Sequence, residues 1–229
     1  MITISLKEFT SLFKSIRSII IISIIFGVTL GSAKLINTFQ AELAQFDLGS
    51  SAYAAGLMLI IIIASPLFVS SLSHNVINEE LKSRTIRFIA TKISRNRIIA
   101  GKFLGILLFW SLCLFVALLL TIPFSKTFPI SEFFQSIVFI SYFVGLTILL
   151  STLIHKPSLS ILTGIALALV FPILGLWSVF SDNFFLKVFS YLTPYLYFSK
   201  EQELYSFFVL IFPVIFLVIS LMIMRKRDL

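Results

Sequence analysis

The residues with most chemistry in this 229-residue chain lie between His74 and Lys102. Seven are basic (Lys82, Arg84, Arg87, Lys92, Arg95, Arg97, Lys102) and two are acidic (Glu79, Glu80). Their chemistry is ion pairing rather than bond making. Glu80 precedes Arg84 by four positions, the favourable order for a pair along a helix. Glu79 and Glu80 suit a first helical turn, where the dipole favours anions. No reactive constellation stands elsewhere in the sequence. His74 and His155 lack partners at ligand spacing, so they read as interfacial polar residues and no metal site is expected. Gly101-Lys102 lacks the glycine at 96 and the Ser or Thr at 103 of a phosphate-binding loop; Asn96 and Phe103 stand there. Cys113 is the single cysteine, which rules out an intrachain disulfide.

The elements that must carry these charges are membrane helices. Hydrophobic residues make up 59% of the chain and charged ones 12%, about half the charged share of a soluble domain. Six apolar runs reach the roughly 20 residues that cross a bilayer: 18–36, 52–72, 103–124, 133–153, 159–180 and 207–224. They are continuous rather than alternating, which indicates helices and not barrel strands. Their only charge is Lys34, near enough to an end to snorkel. The net charge of +8 therefore reflects topology, and no nucleic-acid partner is expected. Fourteen of the eighteen Lys and Arg residues fall on one side, with both termini, the 74–102 segment and Lys156. The positive-inside rule makes that side cytoplasmic. The first run exceeds a signal-peptide core and reads as a signal anchor.

Outside the spans, three segments carry a pattern. Ile2, Leu6, Phe9, Phe13 and Ile16 recur at helical spacing among polar residues. This predicts an amphipathic interfacial helix over 1–17. Residues 75–91 read as a second short helix, with Ile77, Leu81, Thr85 and Phe88 on one stripe. Ser94 then looks like the N-cap of a helix running into the third span. Residues 181–206 are too short to span and too aromatic for a free loop, which predicts a re-entrant or interfacial helical pair. Ser158 is a candidate cap for the fifth span. Pro66, Pro123, Pro172 and Pro213 should kink their runs, and Gly27-x-x-x-Gly31 offers a small-residue face for helix or dimer packing.

At this point the sequence resembles a known family. Asn78-Glu79-Glu80 through Arg84-Thr85, then Ser94-Arg95, then Gly101-Lys102 follow the form that links the second and third spans of type-2 ATP-binding-cassette (ABC) exporter permeases. Arg84 stands where glycine is common there, and Lys92 where proline is common. Tyr191-Leu192-Thr193-Pro194-Tyr195 and the basic tail ending Asp228-Leu229 are similar to the family's last motifs.

The resemblance implies one all-α transmembrane domain over 1–229, acting as a transport subunit without catalysis of its own. ATP and Mg would bind a separate ATPase chain, since no segment here is long enough to hold one. Asn78, Glu79, Glu80, Arg84, Thr85, Ser94 and Arg95 would couple to that ATPase, with His155 and Lys156 as a second contact. Tyr191, Pro194, Tyr195, Tyr197 and Phe198 would form an outer gate, or else only an aromatic belt. A second permease, identical or sister, would complete the path in the plasma membrane. An uncharged aromatic path suits a hydrophobic or amphipathic peptide, drug or lipid-like cargo. A membrane-embedded immunity or sensor protein is the alternative. A channel is disfavoured by the missing polar stripe, and ion coupling by the missing intramembrane charges.

Overall fold

The computed structural model describes residues 1–39, 50–74, 76–82, 94–154, 156–200 and 204–226, and all regular structure among them is helical. Six helices are long and apolar enough to cross a membrane. Span 1 is Ile16–Thr38 and span 2 is Ala55–Ser73, entered through a 3-10 turn at Ser50–Ala54. Span 3 is Arg95–Leu119, span 4 Ile130–Leu153 and span 5 Pro157–Phe180. Span 6 is Ile211–Lys226, preceded by a helical turn at Leu204–Phe207 and a 3-10 turn at Phe208–Leu210.

Span 4 is the hub. Of its most apolar stretch, 72% is buried, against 22% for spans 1 and 6, and it packs on spans 2, 3 and 6. Small and hydroxyl-bearing residues make that possible. Ser141 and Thr147 return their hydroxyls to the carbonyls of Val138 and Phe143, both at 2.7 Å, so no polar group is stranded. Gly145 meets Pro213 of span 6, where a Cβ would sit 2.9 Å from the proline Cα. Span 5 buries one stripe of small residues: Ser160, Gly164, Ala168, Pro172, Gly175 and Ser178. Gly164 lies against Ser70 and His74 at the end of span 2. Lipid tails supply no hydrophobic drive between helices, so close approach over small residues has to hold them together.

Several expectations need correction. Span 3 stops at Leu119 rather than near Pro123; Pro123 opens a separate short helix, Ile122–Ser125. Proline fits a first turn, where its missing N–H would have no partner anyway. For the same reason span 5 begins at Pro157 with Lys156 as N-cap, and Ser158 lies inside the helix rather than capping it. The leading helix runs Ile2–Phe13, and Ile16 belongs to span 1. Of the apolar stripe, Ile2 and Leu6 are exposed, while Phe9 and Phe13 are half-buried against the core, with Phe13 edge-on to Phe109 of span 3 at 4.8 Å. Ile4, Ser5, Glu8 and Leu12 turn inward onto span 3 as well, where a Cβ on Gly105 would lie 2.6 Å from the Ser5 carbonyl oxygen. Two glycines one turn apart, Gly101 and Gly105, let the two backbones approach.

Candidate functional site

Two places bring separate segments together: a charged end and an aromatic end. At the charged end Lys102 stands in the third turn of span 3 with 2% of its side chain exposed. Its ammonium lies 2.6 Å from Oε1 of Glu8, 3.0 Å from Oε1 of Glu80 and 2.8 Å from the Val76 carbonyl oxygen. Three donors therefore meet three acceptors. The acceptors come from the leading helix, from the turn after span 2 and from the short helix Asn78–Lys82. A water-accessible cavity of about 380 Å³ opens beside the cluster, lined in part by Lys7, Ser11, Arg17 and Glu79.

The rest of the junction is stitched by backbone groups. The N–H groups of Ile77 and Asn78 donate to Oγ of Ser151, at 3.0 and 3.3 Å, which fixes the segment after span 2 to the end of span 4. Asn78 is buried there. Arg95 donates from Nη1 to the carbonyls of Met224 (2.9 Å) and Arg225 (3.3 Å). Those carbonyls are in the last turn of span 6, where a helix leaves its acceptors unpaired. Arg225 returns a bond from Nε to Oδ1 of Asn96 at 3.2 Å. Ser160 donates to the His74 carbonyl at 2.6 Å, joining the start of span 5 to the end of span 2.

At the aromatic end, residues after span 5 form two short helices, Phe184–Leu192 and Pro194–Phe198. Asn183 caps the first, accepting from the Phe185 N–H at 3.0 Å. Thr193 breaks the pair in an extended conformation, and Pro194 starts the second helix at a position proline favours. Pro194 and Tyr195 are buried, Tyr197 and Phe198 half-buried, and Tyr191 exposed. The Phe139 ring of span 4 meets Tyr195 and Phe198 edge-on, at centroid distances of 5.5 and 5.0 Å. Tyr142 donates to the Leu192 carbonyl at 2.8 Å, capping the first helix, and Tyr197 donates to the Tyr191 carbonyl at 3.1 Å. Gly175 of span 5 faces the Tyr195 ring so closely that any Cβ would overlap it.

Residues 2–229 match the family described as ABC-2 family transporter protein. The chain belongs to that family. No curated protein matches it in sequence. As an ABC-2 membrane protein it is a multi-pass transport subunit, a permease component of an ABC transporter, and not itself catalytic. Such subunits in general work with a cytoplasmic ABC ATPase.

The coupling residues named from this ABC-2 subunit's sequence separate into two kinds. Asn78, Glu80 and Arg95 make contacts inside the chain, to spans 4, 3 and 6. Glu79, Ser94 and Lys156 are exposed. Arg84, Thr85 and His155 lie outside the described residues, as does most of the 75–91 helix. Gly27 and Gly31 face open space, with nothing within 4 Å of a Cβ at either. They therefore pack on no other helix among the described residues. Close approach to span 1 occurs instead at Gly56, against Ser32. Glu8 and the span 5 stripe escaped the sequence reading. Glu8 is the only acid in a basic leading segment, and that oddity was the available signal.

Proposed function

We propose that this chain is the path-forming subunit of an ABC exporter, driven by a separate ATPase that docks on the charged end. That end is cytoplasmic in this reading, by the Lys and Arg count. The single observation that supports it is the buried Lys102 cluster. It ties the leading helix, the segment after span 2 and span 3 into one body. A push on the exposed Glu79 or Ser94 then moves three elements together, because breaking the cluster leaves charges unpaired out of water, and Lys156, at the start of span 5, is a second contact. Arg84, Thr85 and His155 belong to the same docking surface on sequence grounds.

The aromatic end is the outer gate, and Tyr195 carries it deepest into the bundle. A second permease covers the open faces of spans 1, 5 and 6, which display Ile20, Ile24, Leu162 and Val214 among other exposed apolar residues. Its cargo is hydrophobic or amphipathic, suited to rings and aliphatic walls without fixed charge.

Purification of the intact chain in mild detergent tests this. A nucleotide-hydrolysing partner should come with it, and Glu79→Ala with Arg84→Ala should lower its recovery at least several-fold without loss of the permease. A permease recovered alone, from cells that express the partner, would refute the reading.

A further inference from the structure

Pro66 stands inside span 2. Proline has no N–H, so the carbonyl four residues earlier, on Ile62, loses its helical donor. A carbonyl left unpaired within a bilayer costs several kcal/mol. Here the donor comes from outside the helix: the Tyr195 hydroxyl lies 3.2 Å from the Ile62 oxygen. The position is deep. Ile62 is seven residues into the helix that begins at Ala55, about 10 Å along its axis. Tyr195 itself is 2% exposed, and Gly175 provides the space for its ring.

A second donor stands by. Ser65 is 1% exposed and its hydroxyl has no hydrogen-bond partner among the described residues. It lies three residues after Ile62, the spacing at which serine returns its hydroxyl to a helix carbonyl. This chain uses that bond repeatedly: Ser32 to Thr29 at 3.0 Å, Ser141 to Val138 at 2.7 Å and Ser178 to Gly175 at 2.7 Å. Ser5, Ser18 and Ser73 also leave their hydroxyls unbonded, but among the described residues only Ser65 does so three residues after a carbonyl that a proline has orphaned and another hydroxyl already holds.

We propose that the Ile62 carbonyl is a two-donor switch: Tyr195 holds it while the outward helical pair is seated, and Ser65 takes it when the pair lifts. The exchange conserves one hydrogen bond, so lifting the pair strands no carbonyl. Pro66 makes the switch possible by removing the backbone donor that would otherwise occupy the site. Tyr195 is thus a positioning residue for the gate, and Ser65 stabilises the open form. The inference rests on the gate reading given above, but its chemistry belongs to this chain alone.

The test places spin labels on exposed positions of the two elements, Leu59→Cys in span 2 and Val188→Cys in the outward helix, in a Cys113→Ser background. The full chain is reconstituted in vesicles of phosphatidylethanolamine and phosphatidylglycerol, and the distance distribution is read without nucleotide. Tyr195→Phe keeps the ring and removes the donor. It should raise the longer-distance population roughly five-fold, the weight of one ordinary hydrogen bond. Ser65→Ala should lower that population by a similar factor. Pro66→Ala restores an N–H to Ile62, and in that background both substitutions should lose their effect. An unchanged distribution in Tyr195→Phe would overturn the proposal. So would a Tyr195→Phe shift that persists undiminished beside Pro66→Ala. Should Pro66→Ala not fold, the opposite signs of Tyr195→Phe and Ser65→Ala decide the matter. The readout needs no ATPase, so a failed partner purification and a failed switch are separate results.

Discussion

The charged end and the aromatic end solve one problem with different chemistry. Each joins three or more segments that are distant in sequence. The charged end does it with one ammonium between two carboxylates; the aromatic end does it with rings and single hydroxyls set against helix carbonyls. The first arrangement is nearly all-or-none. Removing one charge from a buried cluster leaves the others uncompensated. The second is graded, because each ring contact or hydroxyl contributes on the order of 1 kcal/mol by itself. A stiff joint suits the end proposed to receive force, and a loose one the end proposed to open.

The most direct way to break the contrast is at Lys102. Lys102→Ala leaves Glu8 and Glu80 facing each other beside span 3. The loss should be about 3 kcal/mol, the lower end for a broken buried pair, because both carboxylates keep some contact with solvent. Thermal unfolding in detergent measures it. Adding Glu8→Gln and Glu80→Gln should restore most of the stability, since the repulsion goes with the charges. If Lys102→Ala unfolds no earlier than the parent, the charged end is not the stiff one.

Gly175→Val sharpens the other side. A side chain there must displace the Tyr195 ring, which costs about 1–3 kcal/mol for overpacking. The effect should be confined to the aromatic end: a fluorophore beside Phe185 should report greater mobility, while the Lys102 cluster keeps the leading helix in place. Equal loosening at both ends would show that the two joints are mechanically one.

How far the sequence foretold these joints differs between them, for physical reasons. The six spans were legible because continuous apolarity over about 20 residues has few other meanings. That short helices rather than a seventh span follow span 5 was legible because Phe184 through Tyr205 is too aromatic for a free loop and too short to cross. Lys102 fell within the family-like motif, but its partner Glu8 did not, since pairing across 94 residues leaves no mark in local spacing. Which residues of the leading helix pack on span 3 was not legible, for a related reason. A helix flanked by lipid on one side and protein on the other is apolar on both, so periodicity alone cannot orient it. Gly27 and Gly31 drew the eye as a motif, whereas the seam that packs is the span 5 stripe from Ser160 to Ser178. That stripe mixes serine, glycine, alanine and proline and matches no single pattern. The orphaned Ile62 carbonyl follows from Pro66 in the sequence, yet which hydroxyl would reach it does not.

Ser160→Ala gives the smallest and most discriminating change. Its hydroxyl donates to the His74 carbonyl at 2.6 Å, a bond as short as the Lys102–Glu8 contact. Length alone would rank the two alike. Position ranks them far apart. His74 ends its helix, where unpaired carbonyls are normal and other donors can reach them. Hydrogen bonds between membrane helices average about 0.6 kcal/mol in such settings. The shift in midpoint temperature should therefore be a small fraction of that for Lys102→Ala, and Ser160→Gly should behave similarly apart from its helix propensity cost. A loss from Ser160→Ala matching that of Lys102→Ala would mean that the seam between spans 2 and 5, and not the ion cluster, holds the charged end together.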